Sequence, residues 1–471
     1  MLNLSVDQGQ LISGLIARHG LAGMWVFWSG WLSIFVVPIV FAPLWKKLNF
    51  KTDNEFLLFR YPGKAGQVLH AFRSVYVGFL VVSLSISFHL LGFSRILEVY
   101  FDLSQTASVF LSGIVLACFA LKNVLDLKIK TDSFHALTYL LSFILVFLVV
   151  LKAANGWNGI FNYFELHPEK KTVFPSKDSS SQFSFLVILL VQWWSVYLFD
   201  GGGAETSRFI AVDESKNVVR AALFPVFIAF IKGLMMVILV LFILGMNQTS
   251  ENPELNFIER IFQLVPKEIN GIVLIGFLGV FISTSESLLN WGASFITVDV
   301  YQKYFNKNAT EKNERAFAFT LMVLMSFCAT FFALSMENLE SLVKLTFSIA
   351  AGVAPVYILR WVWYKINAWT QLSAMIASAV FTLFYPYLHS RLPLSQFPME
   401  ESRILVVTLL TIMVWILVTL ITKSDHEDII RNKMLSVIES KAIFVKRFLL
   451  AMLLGLLFLI VVISIYTFLF K

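Results

Sequence analysis

The chain has 471 residues, of which 58% are apolar and only 14% charged, with a mean hydropathy of +0.77. That balance excludes a soluble globular domain and a disordered chain, and leaves a membrane protein. The net charge of +7 is no nucleic-acid footprint, because the basic residues fall in alternate loops between apolar segments.

Twelve apolar segments follow one another, at about 21–45, 66–94, 106–122, 131–152, 182–199, 218–245, 271–300, 315–336, 341–365, 368–388, 403–422 and 443–468. Their length suits helices crossing about 30 Å of hydrocarbon, whereas a membrane β-barrel would show shorter alternating stretches. The first loop carries Lys46, Lys47, Lys51, Arg60 and Lys64, and later alternate loops carry Lys122, Lys128, Lys130, Arg208, Lys216, Arg220, Lys303 and Lys307. The opposite set is poorer in Lys and Arg, so the rich set is expected in the cytoplasm and both ends of the chain outside a bacterial-type inner membrane. The loop 153–181, with Pro168 and Pro175, is the longest external connection, and 423–442 reads as a charged, helical cytoplasmic link. Residues 1–20 lack the basic start and apolar core of a cleavable signal. Cys118 and Cys328 sit in apolar segments and read as unpaired packing.

The stretch 279–301 sets Ser283, Thr284, Glu286, Ser287 and Asn290 inside a segment long enough to span the bilayer. Polar groups at that depth cost roughly 1 kcal/mol or more each unless satisfied. Helical spacing brings Ser283, Ser287 and Asn290 onto one face with Thr284 beside them, a path or site for a cation. The plain alternative is hydroxyls bonding carbonyls one turn earlier in their own helix. Lys232, mid-way along the sixth segment, is a functional candidate for the same energetic reason, with snorkelling as its alternative. Gln192, Trp193 and Trp194 are core packing or pocket lining. Asp200-Gly-Gly-Gly203 has no following Gly-Lys-Ser/Thr, so it reads as a tight turn and not a phosphate loop. Asp132 opens the fourth segment, where a helix cap is its plain role. His89 and His135 lack ligand-spaced partners and read as structural. No nucleophile–base constellation is present, so no enzyme is expected.

Four pieces in order carry a resemblance: Thr52-Asp-Asn-Glu-Phe with Arg60-Tyr-Pro-Gly-Lys, Gln192-Trp-Trp-Ser with Asp200 to Arg208, Ser283-Thr284 through Asp299-Val-Tyr301, and Leu359-Arg-Trp-Val-Trp-Tyr-Lys-Ile-Asn-Ala-Trp369. Over nearly its whole length the chain resembles the sodium:solute symporter family. The resemblance implies an all-helical leucine-transporter (LeuT) type of fold with inverted five-helix repeats and a mid-membrane site between broken helices. It implies sodium-coupled symport of a small organic solute, with sodium held by Val280, Ser283 and Thr284, and a Lys232 contact to substrate as in sugar-carrying members. In some members an aspartate matching Asp132 and hydroxyls at positions 286 and 287 bind a further sodium. Here Glu286 replaces one hydroxyl, so Asp132, Glu286 and Ser287 are expected to favour a shared proton. Ser207 stands where the family usually has glutamine. The expected partners are the solute, sodium and the lipid bilayer, with no nucleic acid, no cofactor and no required oligomer.

Only four core helices are counted before the Gln-Trp-Trp segment, where the family has five. Residues 1–20 are therefore read as the outer remnant of a first core helix, 21–365 as core bundle and 366–471 as three additional helices of one transporter domain. An N-terminally shortened form, with an incomplete sodium shell and poor transport, is the expectation. A degenerate transporter-fold sensor or interaction protein is the alternative.

Overall fold

The structure, a computed structural model, describes residues 5–50, 52–120, 125–154, 156–195, 198–246, 251–391, 393–422 and 427–470, with backbone alone for 120, 125–133, 204, 207 and 215. It is helical, with no strand among the described residues. The chain begins with α1 (Gln8–His19), α2 (Trp25–Trp31) and α3 (Ala42–Leu48), then the short α4 (Asp53–Arg60). The paired α5 (Lys64–Val75) and α6 (Val82–Phe101) run on as one rod, followed by α7 (Gln105–Ala120), α8 (Leu125–Ala153) and α9 (Trp157–Leu166). Next come α10 (Ser179–Leu190), α11 (Ala204–Ile210), α12 (Val218–Leu244), α13 (Pro253–Leu264) and α14 (Asn270–Ile296). The chain continues with α15 (Glu311–Leu334), α16 (Leu339–Ala351), α17 (Ala354–Leu359), α18 (Ala368–His389), α19 (Met399–Ile421), α20 (Glu427–Ile438) and α21 (Lys441–Leu469).

Eight of the twelve expected segments contain described helices long and apolar enough to cross a bilayer. The other four are shorter or interrupted, and the breaks have local causes. Segment 21–45 passes from a 3-10 turn (Gly20–Met24) through α2 to a π-turn (Val37–Phe41) carrying Pro38. Segment 182–199 stops at Leu190, where Val191 leaves helical geometry, and a single 3-10 turn holds Gln192–Trp194. Segment 341–365 breaks between α16 and α17 at Gly352, with Pro355 in the first turn of the new helix. Proline removes a backbone donor and clashes with the preceding turn, so a helix restarts there more easily than it continues. The link at 427–438 is helical, as its sequence suggests.

Helix starts are fixed by side-chain caps. Asn252, Asn338, Asn367 and Ser440 each accept the N–H three residues on, and each such cap is worth about 1 kcal/mol. Helices approach closely where small residues face each other, which is how membrane bundles gain van der Waals contact. Gly276 and Gly279 of α14 lie against Ser142 and His135 of α8, and Gly292 lies on the Gly78 carbonyl. Phe93 of α6 stacks on Phe281 of α14, with centroids 4.4 Å apart and planes at 8°. The first helix is no loose appendage: α1 packs against α12, α13 and α16, and Leu15 and Ile16 are fully buried.

Candidate functional site

The middle of α14 behaves first as the plain reading says. Thr284 donates its hydroxyl to the Val280 carbonyl at 2.5 Å, one turn back. A hydroxyl that spends its proton on a carbonyl keeps its lone pairs, so Thr284 Oγ1 and Val280 O form an oxygen pair able to face a cation. Val280 is buried, while Ser283, Thr284, Glu286 and Ser287 are partly buried. Two further hydroxyls on this helix, Ser285 and Ser287, are buried with no hydrogen-bond partner. Buried polar atoms without partners are rare because each forfeits its hydration. The side chain of Asp132 lies outside the described residues, as do those of Lys51, Lys122, Lys128, Lys130 and Ser207.

Gln192, Trp193 and Trp194 are tied into the packing. Gln192 Nε2 donates to the Val26 carbonyl at 2.8 Å and Trp194 Nε1 to the Ala351 carbonyl at 3.1 Å. Ser33 Oγ donates to the Trp193 carbonyl at 2.9 Å. This 3-10 turn thereby pins the broken segment to α2 and to the end of α16.

The large cavity lies elsewhere. It measures about 870 Å³ and is mostly apolar, walled by α1, α2, α12 and the 198–212 region. Lys232 lines it, as do Ser5 and Asp7, whereas Gln192, Trp193 and Trp194 do not. Asp7 precedes α1 and accepts from His89 Nδ1 of α6 at 2.9 Å, with Ser5 Oγ 3.2 Å from the same ring nitrogen. The approach is tight because Gly92 leaves no Cβ, which would stand 2.7 Å from the Asp7 Cβ. Sequence spacing does not reveal this pair, whose members are 82 positions apart. Its only signal was that each is polar at the edge of an apolar run.

The resemblance-bearing residues assemble at one end of the bundle. Asp200 accepts from Arg360 Nε at 3.1 Å and Nη2 at 2.5 Å, and from Trp361 Nε1 at 2.9 Å. Both charges are fully buried, and the Arg360 guanidinium lies over Phe56 and Tyr357. Beside it Arg73 pairs with Asp53, and Asn54 Nδ2 donates to Asp299 at 2.8 Å. The triple glycine is a turn, as expected: Gly201 and Gly203 both have φ +74°, and a Cβ on Gly202 would stand 2.8 Å from the Asp53 carboxylate. Arg60, which donates to the Arg360 carbonyl at 2.9 Å, has its pKa lowered by burial.

A second ionic network closes the opposite end. Arg18 of α1 reaches Glu340 at 2.8 Å and Glu254 at 3.4 Å. Lys344 bridges Glu340 and Glu401 at 2.6 Å each, and His19 lies 3.3 Å from Glu340. Glu254 also accepts the Leu339 N–H at the start of α16. Four helices, α1, α13, α16 and α19, thus meet in one network that no motif had signalled. The described residues hold no group of three or more His, Cys, Asp or Glu fit to bind a metal ion.

Comparison with known proteins agrees with this architecture. A sodium/glucose cotransporter from Vibrio parahaemolyticus is 21% identical over 458 residues, covering 90% of this chain and 82% of that protein. The structure of a Na+-coupled sialic acid symporter in its substrate-bound, outward-open state superposes with a TM-score of 0.63 at 14% identity, over 90% of this chain and 92% of that one, which establishes the fold. These are transporters, not enzymes, and the fold is of the leucine-transporter type in a multi-pass membrane protein. The model of the Sodium:solute symporter family matches residues 10–378, and the chain belongs to that family.

Proposed function

We propose that the protein couples sodium entry to symport of a small organic solute by alternating access. The observation that carries this reading is the Thr284–Val280 oxygen pair at mid-helix on α14, inside the family match. Sodium is served by hydroxyl and carbonyl oxygens without a buried net charge, and Ser283 on the same turn adds a third oxygen. The solute is received at the large cavity, with Lys232 as its cationic contact. Gln192, Trp193 and Trp194 hold the broken helix that borders the site. In this reading the Asp200–Arg360 end, beside the basic loops, faces the cytoplasm of an inner membrane and the Arg18–Glu340 end faces outward.

A second cation position formed by Asp132, Glu286 and Ser287 is part of this reading. Ser142 Oγ donates to the Ile272 carbonyl at 3.0 Å and His135 lies on Gly279, so α8 and α14 run antiparallel. Continuing that register brings position 132 level with 282–283, one turn from Glu286. The partnerless Ser287 hydroxyl supports a ligand there.

Sodium-gradient uptake in proteoliposomes, with a panel of sugars, amino acids and carboxylates, tests the proposal. Ser283→Ala and Thr284→Ala should each raise the half-saturating sodium concentration by about tenfold or more, as loss of a hydrogen-bonding group from a charged ligand does. The helix tolerates both changes because Ala is a good helix former. Unchanged sodium activation in both variants would remove this site.

A further inference from the structure

The pair Asp7–His89 has no place in the sodium site, yet it stands at the wall of the solute cavity. Asp7 lines that cavity together with Ser5 and Lys232, and His89 stands behind Asp7, reached through the carboxylate. The pair is largely withdrawn from solvent, with side-chain exposures of 16% for His89 and 12% for Asp7. The Asp7 charge acts on Lys232 of α12 and on Tyr139 of α8. From α14, Ser285 faces the same level: Phe93 stacks on Phe281, and one turn along both antiparallel helices brings His89 opposite Ser285. That Ser285 hydroxyl is fully buried and without a hydrogen-bond partner.

Charge balance then decides what the cavity accepts. Among the charged side chains lining the cavity, Asp7 offsets Lys232 and Glu205 pairs with Arg208, so the empty cavity is balanced. A neutral solute leaves that balance alone. A carboxylate solute beside Lys232 adds one negative charge in a mostly apolar chamber, where an uncompensated charge is strongly disfavoured. One proton on the His89 imidazole restores the balance, held by the Asp7 carboxylate at its Nδ1. Imidazole is the side chain whose unperturbed pKa allows this exchange near physiological pH.

We propose that the cavity takes a carboxylate-bearing solute, and that His89 binds one proton through Asp7 as that solute enters. This rests on the transport reading above and deepens it by naming the solute class. The proton comes from cavity water, binds an imidazole nitrogen, and no covalent bond of the solute changes.

The test is direct. The protein in nanodiscs, in weak buffer with a pH indicator and with sodium present, is mixed with a hydroxy acid or with its amide, and with a sugar acid or the matching neutral sugar. Uptake of the same four probes is measured in sodium-gradient proteoliposomes. One proton should be taken up per carboxylate bound and none with the neutral analogues. Carboxylate affinity should rise as the pH falls, by up to about tenfold per unit, the slope for one proton taken up with the solute. His89→Gln, whose amide can still donate to Asp7 but cannot titrate, should abolish proton uptake and flatten that slope. Should His89→Gln fail to fold, the wild-type contrast between acid and amide decides alone. Sodium-stimulated carboxylate transport without proton uptake overturns this proposal and spares the transport reading. Transport of the neutral analogues with refusal of the acids does the same. No sodium-stimulated uptake of any of the four probes overturns this proposal, and the wider solute panel then decides the transport reading separately.

Discussion

The two ends of the bundle are both closed by buried charge, but by different chemistry. At the Asp200 end the cations are arginines, Asp200, Asp53, Arg73 and Arg360 are almost wholly buried, and tryptophan and phenylalanine rings sheathe them. At the Glu340 end Arg18 keeps a third of its side chain exposed and His19 half, and Glu340 has three side-chain partners, Arg18, Lys344 and His19. A carboxylate with three partners can lose one and keep two, so this closure loosens in steps. Asp200 has Arg360 and Trp361 on one carboxylate oxygen, and separating them strands two charges in a dry place at once. The richer network therefore makes a yielding closure, and the sparser, fully buried one a closure that opens all together or not at all.

Asp200→Asn should give the largest effect, because it leaves the Arg360 guanidinium buried without its counter-charge. A loss of about 3–5 kcal/mol is expected, read as thermal unfolding of the purified protein. Glu340→Gln should cost less, about 1.5–3 kcal/mol, since Lys344 retains Glu401 and Arg18 retains Glu254. Equal losses from the two substitutions would break the comparison.

The smallest effect is on acid sensitivity. Burial alone would raise the Glu340 carboxyl, but the hydrogen bond from His19 and the Lys344 charge hold it well below its ordinary 4.5. An acid whose pKa falls on folding contributes stability above its ordinary value and loses it as pH drops toward the lowered one. The Glu340 contribution should therefore be constant from about pH 7 to about 5 and fall away only in stronger acid. In Glu340→Gln that part of the acid loss should be absent. An unchanged acid slope in the variant would mean that Glu340 is not what ties this end together.

Much of the fold was readable in the chain because lipid enforces it. Eight apolar segments of bilayer length and the glycine turn at 201–203 follow from local physics, and each is where the sequence put it. The breaks at Val191 and Gly352 were harder, since an interrupted helix and a continuous one share the same apolar composition. The ionic closures were not readable at all. Arg18 and Glu340 are 322 positions apart and Asp200 and Arg360 are 160 apart, and no periodicity links such positions. The resemblance pointed to Asp200 and Arg360 as separate motif residues, and only the fold makes them one contact. The Thr284 bond to Val280 was one of two readings that the sequence offered, and a hydroxyl so bonded keeps the lone pairs that the proposed sodium site needs.

One feature of the backbone reaches beyond any single contact. The rod made by α5 and α6 holds a π-turn at Tyr76–Val81, which includes Gly78 of the Gly78–Gly292 crossing, and α14 ends in another at Thr297–Phe305, just past that crossing. A π-turn carries one residue more than the α-helix around it. Passing that surplus residue along the rod rotates the stretch it crosses by roughly 100°, the angle of one helical step, while backbone hydrogen bonds are exchanged within the rod and not given up to lipid. Slack of this kind lets a rod turn its faces within a bilayer that forbids it to unravel.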